Sequence, residues 1–299
     1  MISLDKITKT YNKGQVLAVK DVSLDIKPGE LFGLIGPDGA GKTSIFRILT
    51  TLLLADKGTA IVNGFDVVKD YAKIRSSVGY MPGKFSLYQD LTIEENLHFF
   101  ATVFGTSIKE NYDLIKDIYV QIEPFKDRRA GKLSGGMKQK LALCCALIHK
   151  PAVLFLDEPT TGVDVVSRKE FWEMLGRLKA EGITILVSTP YMDEARRCDR
   201  IALMQKGSLL SVNDPEGIIR NFPGELYGVQ SANTHRLLTA TRTYPATATC
   251  FAFGDSLHVT FKNDPNGLLP YLKSKGVEDA RLEKITPGIE DCFIHLLKD

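Results

Sequence analysis

Two textures of apolar patterning divide the chain near residue 222. Before it, short apolar runs alternate with stretches whose apolar residues recur three or four positions apart. Ile2–Lys6 and Val19–Ile26 read as opening strands, and Lys27-Pro28-Gly29-Glu30 as the turn into a third, Leu31-Phe32-Gly33-Leu34-Ile35. A glycine-rich segment follows, then a helix over Ser44–Leu52 with Ile45, Phe46, Ile48 and Leu49 as its apolar positions. Thr92 to Phe125 reads as helical, with the aromatic-rich stretch Leu97-His98-Phe99-Phe100. A second strand–loop–helix unit spans Val153–Leu156 and Arg168–Leu178, and Thr184–Ser188 is a further apolar strand. Apolar strands alternating with helices predict an α/β fold, a parallel sheet covered by helices.

Beyond residue 222, Tyr244–Phe253 and Leu257–Lys262 alternate as strands do and are joined by a turn at Gly254-Asp255. Leu268–Lys275 reads as helical and Arg281–Ile285 as extended. Pro287-Gly288-Ile289 opens a last helix, with Ile289, Phe293, Leu296 and Leu297 on one face. The expected division is a large domain over 1–222, with a helical subdomain about 84–150, and a small α+β accessory domain over 223–299.

Composition changes this picture little. With 299 residues there is room for one large and one small domain, and 44% hydrophobic with 25% charged residues is ordinary for a globular chain. A net charge of +2 gives no electrostatic reason to expect nucleic acid as a partner. The longest helical apolar run, Leu141 to Ile148, falls well short of the ~20 residues of a membrane-spanning helix. Met1-Ile2-Ser3-Leu4-Asp5-Lys6 has no secretory-signal pattern, so a cytoplasmic location, with the membrane reached only through a partner, is expected. The five cysteines (Cys144, Cys145, Cys198, Cys250 and Cys292) form neither a metal-type pair nor a disulfide framework.

The chemistry lies in three runs. Gly36-Pro37-Asp38-Gly39-Ala40-Gly41-Lys42-Thr43, between a strand and a helix, is a P-loop. Its backbone N–H groups can converge on a phosphate at a helix N-terminus, Lys42 neutralises phosphate charge, and the Thr43 hydroxyl is placed to ligate Mg²⁺. A carboxylate at the end of a buried strand completes such a site, and Val153-Leu154-Phe155-Leu156-Asp157-Glu158 supplies two. Asp157 is expected in the Mg²⁺ shell and Glu158 as the general base on the attacking water. The third run, Leu133-Ser134-Gly135-Gly136-Met137-Lys138-Gln139-Lys140, opens a helix whose N-terminus can meet a phosphate.

Taken together, these runs resemble the P-loop, magnesium-carboxylate and signature motifs of ATP-binding-cassette (ABC) proteins, over residues 1 to about 220. The resemblance implies a P-loop NTPase fold with a RecA-like core and a helical subdomain. It also implies an ATPase that works as a head-to-tail dimer, each signature completing the partner's ATP site. The expected nucleotide contacts are Tyr11, similar to the aromatic that stacks on adenine, then Gly36, Pro37, Asp38, Gly39, Ala40, Gly41, Lys42, Thr43 and Ser44. Ser134, Gly135 and Gly136 are expected on the opposite nucleotide. Thr161-Gly162-Val163-Asp164 resembles the loop that contacts the second subunit.

Two positions depart from the family pattern. After Gly79-Tyr80-Met81-Pro82 the family has a glutamine, where this chain has Gly83; Gln89 reads as a loop residue. After Leu186-Val187-Ser188-Thr189 the family has a histidine, where this chain has Pro190, which offers neither a side-chain donor nor an N–H. Loss of one transition-state donor costs roughly 10²–10³ in rate, so the chain's own site is expected to bind ATP and hydrolyse it slowly, beside a competent site on a partner subunit. The domain arrangement resembles ATP-binding subunits of ABC-2-type exporters of drugs and similar compounds, which implies a separate membrane permease. The region after Gly83, with Lys84, Phe85, Leu87 and Phe99–Phe100, is expected to form the groove that receives it. Two alternatives stand beside this reading: a non-transporting cassette protein acting on ribosomes or DNA, and a regulatory ATP-binding subunit.

Overall fold

A computed structural model describes residues 1–297. The chain divides into two compact units, Met1–Pro215 and Glu216–Asp299. In the first, β1 (Ile2–Tyr11) and β2 (Val16–Ile26) form an antiparallel ladder, and β3 (Leu31–Ile35) leads to α1 (Lys42–Leu49). Then come β4 (Lys57–Val62), β5 (Phe65–Asp66), α2 (Tyr71–Ser77) and β6 (Val78–Met81). Three helices follow, α3 (Ile93–Val103), α4 (Tyr112–Tyr119) and α5 (Gly135–Leu147). The unit closes with β7 (Val153–Asp157), α6 (Val165–Ala180), β8 (Thr184–Thr189), β9 (Arg200–Gln205) and β10 (Ser208–Asn213).

Two sheets result. An antiparallel sheet runs β2-β1-β4-β5, and a second runs β10-β9-β3-β8-β7-β6, parallel except for β10. β3, β7 and β8 are buried at every position, which is why they read as unbroken apolar runs. Phe46 of α1 meets Phe155 of β7 edge-to-face, ring centroids 6.2 Å apart, inside a core that also takes Ile2, Leu4, Val22 and Val62 from the antiparallel sheet. The α/β expectation thus matches the observed architecture.

Several elements differ from their expected bounds. The first strand continues to Tyr11, and the helix read from Ser44 already begins at Lys42. The single helical stretch read over Thr92–Phe125 is broken: α3 ends before Gly105, whose φ of +65° suits a chain reversal, and α4 starts at Tyr112. β4 and β10 were not legible as strands, because Gly58, Thr59 and interspersed polar residues interrupt their alternation, and β9 was passed over although Ile201–Met204 is a short buried apolar run.

The second unit begins around α7 (Pro215–Arg220). It continues with β11 (Leu226–Gln230), α8 (Thr234–Arg242), β12 (Thr247–Phe253), β13 (Ser256–Phe261), α9 (Leu268–Ser274), β14 (Arg281–Ile285) and α10 (Ile289–Leu296). The order β-α-β-β-α-β with strands arranged β12-β13-β11-β14, all antiparallel, is a ferredoxin-like arrangement. Its core joins Val229, Cys250, Leu257 and Val259 of the sheet to Leu237, Leu268 and Leu272 of α8 and α9. On the other sheet face His258 bonds Asp291 of α10 at 2.6 Å. Of the last helix's expected apolar face, Ile289 and Phe293 are buried and Leu297 is exposed. All five cysteines are free and buried, and burial raises their thiols' pKa values above the ordinary range. No helix among the described residues is long and apolar enough to cross a membrane.

Candidate nucleotide site

Parallel pairing brings three strand ends together: Ile35 of β3 lies opposite Thr189 of β8, and Ser188 opposite Asp157 of β7. The loop after β3 therefore emerges beside the two carboxylates after β7, at the carboxyl edge where open α/β sheets bind ligands. Gly39 and Gly41 have φ of +76° and +107°, which only glycine adopts freely. A Cβ at Gly41 would overlap the carbonyl oxygen of Ala18, and one at Gly36 that of Met204. Gly36 N–H donates to Thr189 O at 3.3 Å, and Ala40 O accepts from Gly207 N–H at 2.9 Å, so the loop is tied at both ends.

Lys42 is 3% exposed. Its ammonium donates to Gly36 O (2.7 Å) and Pro37 O (3.1 Å) and pairs with Glu158 Oε1 at 3.0 Å. P-loop and catalytic-carboxylate candidate thus meet through one ion pair. Glu158 itself has φ +51°, an uncommon backbone for a residue with a long side chain. Thr43 and Ser44 stand on the first turn of α1, and Ser44 Oγ lies 3.1 Å from the Tyr11 hydroxyl. Tyr11, last residue of β1, is therefore beside the P-loop helix, whereas Asp38 and Gly39 are exposed at the loop tip and Pro37 is half-buried.

The Asp157 carboxylate is 2% exposed and accepts from Ser188 Oγ at 2.6 Å. Burial, and then the charge of Asp157, push the Tyr80 phenol up to about 12. Gly83 lies on this same side: a Cβ there would stand 3.1 Å from Asp157 O and 3.9 Å from Asp157 Oδ2. Gln89 is held elsewhere, its carbonyl accepting from Gly131 N–H at 2.9 Å in a loop fixed by fully buried Asn96. Pro190 follows β8 directly.

Ser134 caps α5, its Oγ accepting from Met137 N–H at 3.3 Å. The contacts of Gly135 and Gly136 run to Gly162 and Ser167, at the entrance to α6, where a Cβ would stand 3.3 Å from Gly162 O or 2.7 Å from Ser167 Oγ. The predicted residues therefore form two groups. One gathers Tyr11, residues 36–44, Asp157 and Glu158; the other sets Ser134, Gly135 and Gly136 beside Gly162–Asp164.

Sequence reasoning passed over Ser188, Thr189 and Glu194. Buried Glu194 accepts from Thr160 Oγ1 (3.1 Å) and Thr189 Oγ1 (2.5 Å) and pairs with Arg168 at 3.1 Å. The available signal was two hydroxyls closing a strand whose middle, Ile185–Val187, is apolar. Next to β6, a groove of about 310 Å³ is lined by Phe85, Leu87, Phe100, Phe104, Leu52 and Arg75, among others. Lys84 and Phe99 are not among its lining residues; Phe99 packs on Tyr88 instead, 4.7 Å between centroids.

The ABC transporter family profile matches residues 19–161. The chain is 38% identical over 304 aligned residues to the probable multidrug ABC transporter ATP-binding protein YbhF of Escherichia coli K12, covering 99% of this chain and 52% of that protein. It thus spans about half the length of that relative. It is 34% identical to the Nod factor export ATP-binding protein I of Rhizobium sp. strain N33, covering 99% of this chain and 96% of that one. Among solved structures, a dimeric post-hydrolysis state of the ATP-binding cassette MJ0796 bound to ADP and Pi superposes with TM-score 0.65 at 27% identity, over 72% of this chain and 98% of that one. CbiO1 from Clostridium perfringens, part of the ABC transporter complex cbiONQ, gives TM-score 0.65 at 26% identity, over 74% and 90%. The chain belongs to the family of ABC transporter ATP-binding proteins, a family of ATP-hydrolysing cassettes.

Proposed function

We propose that the chain is the ATP-binding subunit of an ABC-2-type exporter, lying at the cytoplasmic face of the cell membrane, and that its own site hydrolyses ATP slowly beside a competent partner cassette. The observation that carries the slow site is Gly83. Position 83 faces Asp157, yet glycine extends no side chain toward it. Pro190 likewise follows the strand whose last carbonyl holds the P-loop and offers no donor.

Within the site, Lys42 exchanges its loop carbonyls and Glu158 for phosphate oxygens, and backbone N–H groups of residues 39–43 surround the anion. Glu158, released from Lys42, orients and deprotonates the attacking water. Thr43 and Asp157 would hold Mg²⁺ through one hydroxyl and one buried carboxylate, hard oxygen donors of the kind this ion takes. When bound, Mg²⁺ neutralises charge developing on the phosphates. Tyr11 stacks on adenine, and Ser134–Gly136 meet the partner's nucleotide through the α5 N-terminus.

The names of the relatives, multidrug transport and Nod factor export, support an exporter. The groove at Phe85, Leu87 and Phe100 supports a docking site for a membrane permease on this face. Reversing the charge of Arg75 in its lining is expected to uncouple ATPase from transport with nucleotide affinity unchanged. The site reading is tested by the double substitution Gly83→Gln with Pro190→His. Restored turnover, abolished in turn by Glu158→Gln, is expected; ordinary ATPase rates in the unaltered homodimer, lost in Glu158→Gln, would refute the slow site.

A further inference from the structure

We propose that Ser188 is a positioning residue that orients both carboxylate-bearing residues of the site through a single hydroxyl. The assignment rests on the roles given above to Asp157 and Glu158. Ser188 is fully buried near the end of β8 and lies in register with Asp157 on one side and Leu34 on the other. Its Oγ donates to Asp157 Oδ1 at 2.6 Å and accepts from Glu158 N–H at 2.9 Å. The same N–H reaches the Ser188 carbonyl at 3.1 Å.

The directions are fixed by chemistry. An amide can only donate, so the hydroxyl must accept from Glu158, and its one proton is left for Asp157. Two consequences follow. Rotation of the Asp157 carboxylate, a soft torsion when unrestrained, is stopped with Oδ1 on Ser188 and Oδ2 toward position 83. Glu158, at φ +51°, has its backbone fixed by two acceptors from one residue. Strain of this kind persists only where neighbours over-determine the conformation. Ser188 supplies that determination, and its one hydroxyl proton is already committed to Asp157.

ATP affinity of the full chain, measured by equilibrium dialysis with Mg²⁺ and with EDTA, tests the proposal. Mg²⁺ is expected to tighten binding in the unaltered protein. Ser188→Ala is expected to weaken that Mg²⁺-dependent gain about tenfold, the size of one charge-assisted hydrogen bond, with affinity in EDTA unchanged. Ser188→Thr, which keeps the hydroxyl, restores the gain. Asp157→Asn abolishes the gain, and adding Ser188→Ala to it changes nothing further. A full gain in Ser188→Ala while Asp157→Asn loses it would overturn the positioning role and leave the Asp157 reading intact. No gain in the unaltered protein, or a full gain in Asp157→Asn, would overturn the Asp157 reading and this proposal with it. Hydrogen exchange reads the other half: the Glu158 amide is expected to exchange faster in Ser188→Ala, and unaltered exchange would count against the bridge.

Discussion

Lys42 shows how a phosphate site is stored inside a folded chain. Three oxygens, from Gly36, Pro37 and Glu158, hold its ammonium while it is 3% exposed. A buried charge stripped of partners costs several kcal/mol, so these contacts are what make the burial tolerable. Lys42→Met is expected to weaken ATP binding at least about tenfold, since charged hydrogen bonds contribute about 1.5–3 kcal/mol each; equilibrium dialysis reads the change, and an unaltered affinity would sink the role. Gly41→Ala acts differently. It places a methyl group against Ala18 O at φ +107°, and should cost more than about 1 kcal/mol in urea unfolding as well as ATP affinity.

At the scale of elements, polar side chains fix loops that the backbone alone leaves open. Asn96 on α3 is fully buried and bonds Tyr88 through both its amide N–H and its carbonyl oxygen. Asn96→Leu leaves the Tyr88 N–H unpaired, while the Tyr88 carbonyl keeps only its bond from Leu91 N–H, and is expected to cost about 1–3 kcal/mol in denaturant unfolding, with faster hydrogen exchange across Tyr88–Leu91. Asp56 ties the loop before β4 to β1: hydrogen bonds from Lys9 and Thr10 lower its pKa from an ordinary 3.8 to about 2. Because the folded pKa is depressed, its contribution is present above pH 4 and lost as pH falls from 3.8 toward 2. Asp56→Asn should therefore flatten the acid limb of a stability profile in that window and leave the limb above it parallel.

The same elements explain what was legible in the sequence. The P-loop, β7 and β8 could be read directly because buried parallel strands are continuous apolar runs and phosphate chemistry demands glycine and lysine at fixed spacing. β4 and β10, half-exposed and rich in polar residues, carry no such signal. Nor could spacing show that Ser188 reaches Asp157, since only strand register brings residues 31 positions apart into contact. α8, with three threonines and two arginines around its two leucines, forms because Leu237 and Ala240 bury against the sheet, a tertiary gain that local propensity does not contain.

On the scale of the whole molecule, the two units each own a core. The first gathers residues from both of its sheets around Phe46 and Phe155; the second packs α8 and α9 on Val229, Leu257 and Val259. A cavity made in one core should be felt there, because effects at sites without shared partners add independently. Leu257 is fully buried in the second core, so Leu257→Ala is expected to destabilise that unit by about 2–5 kcal/mol. The site residues Lys42, Asp157 and Glu158, and the positioning residue Ser188, all lie in the first unit. ATP affinity should therefore remain that of the unaltered chain while the second unit melts earlier in calorimetry. A fall in ATP affinity parallel to the loss of stability would mean instead that the accessory unit supports the nucleotide site, and that 216–299 belongs to the catalytic machinery rather than beside it.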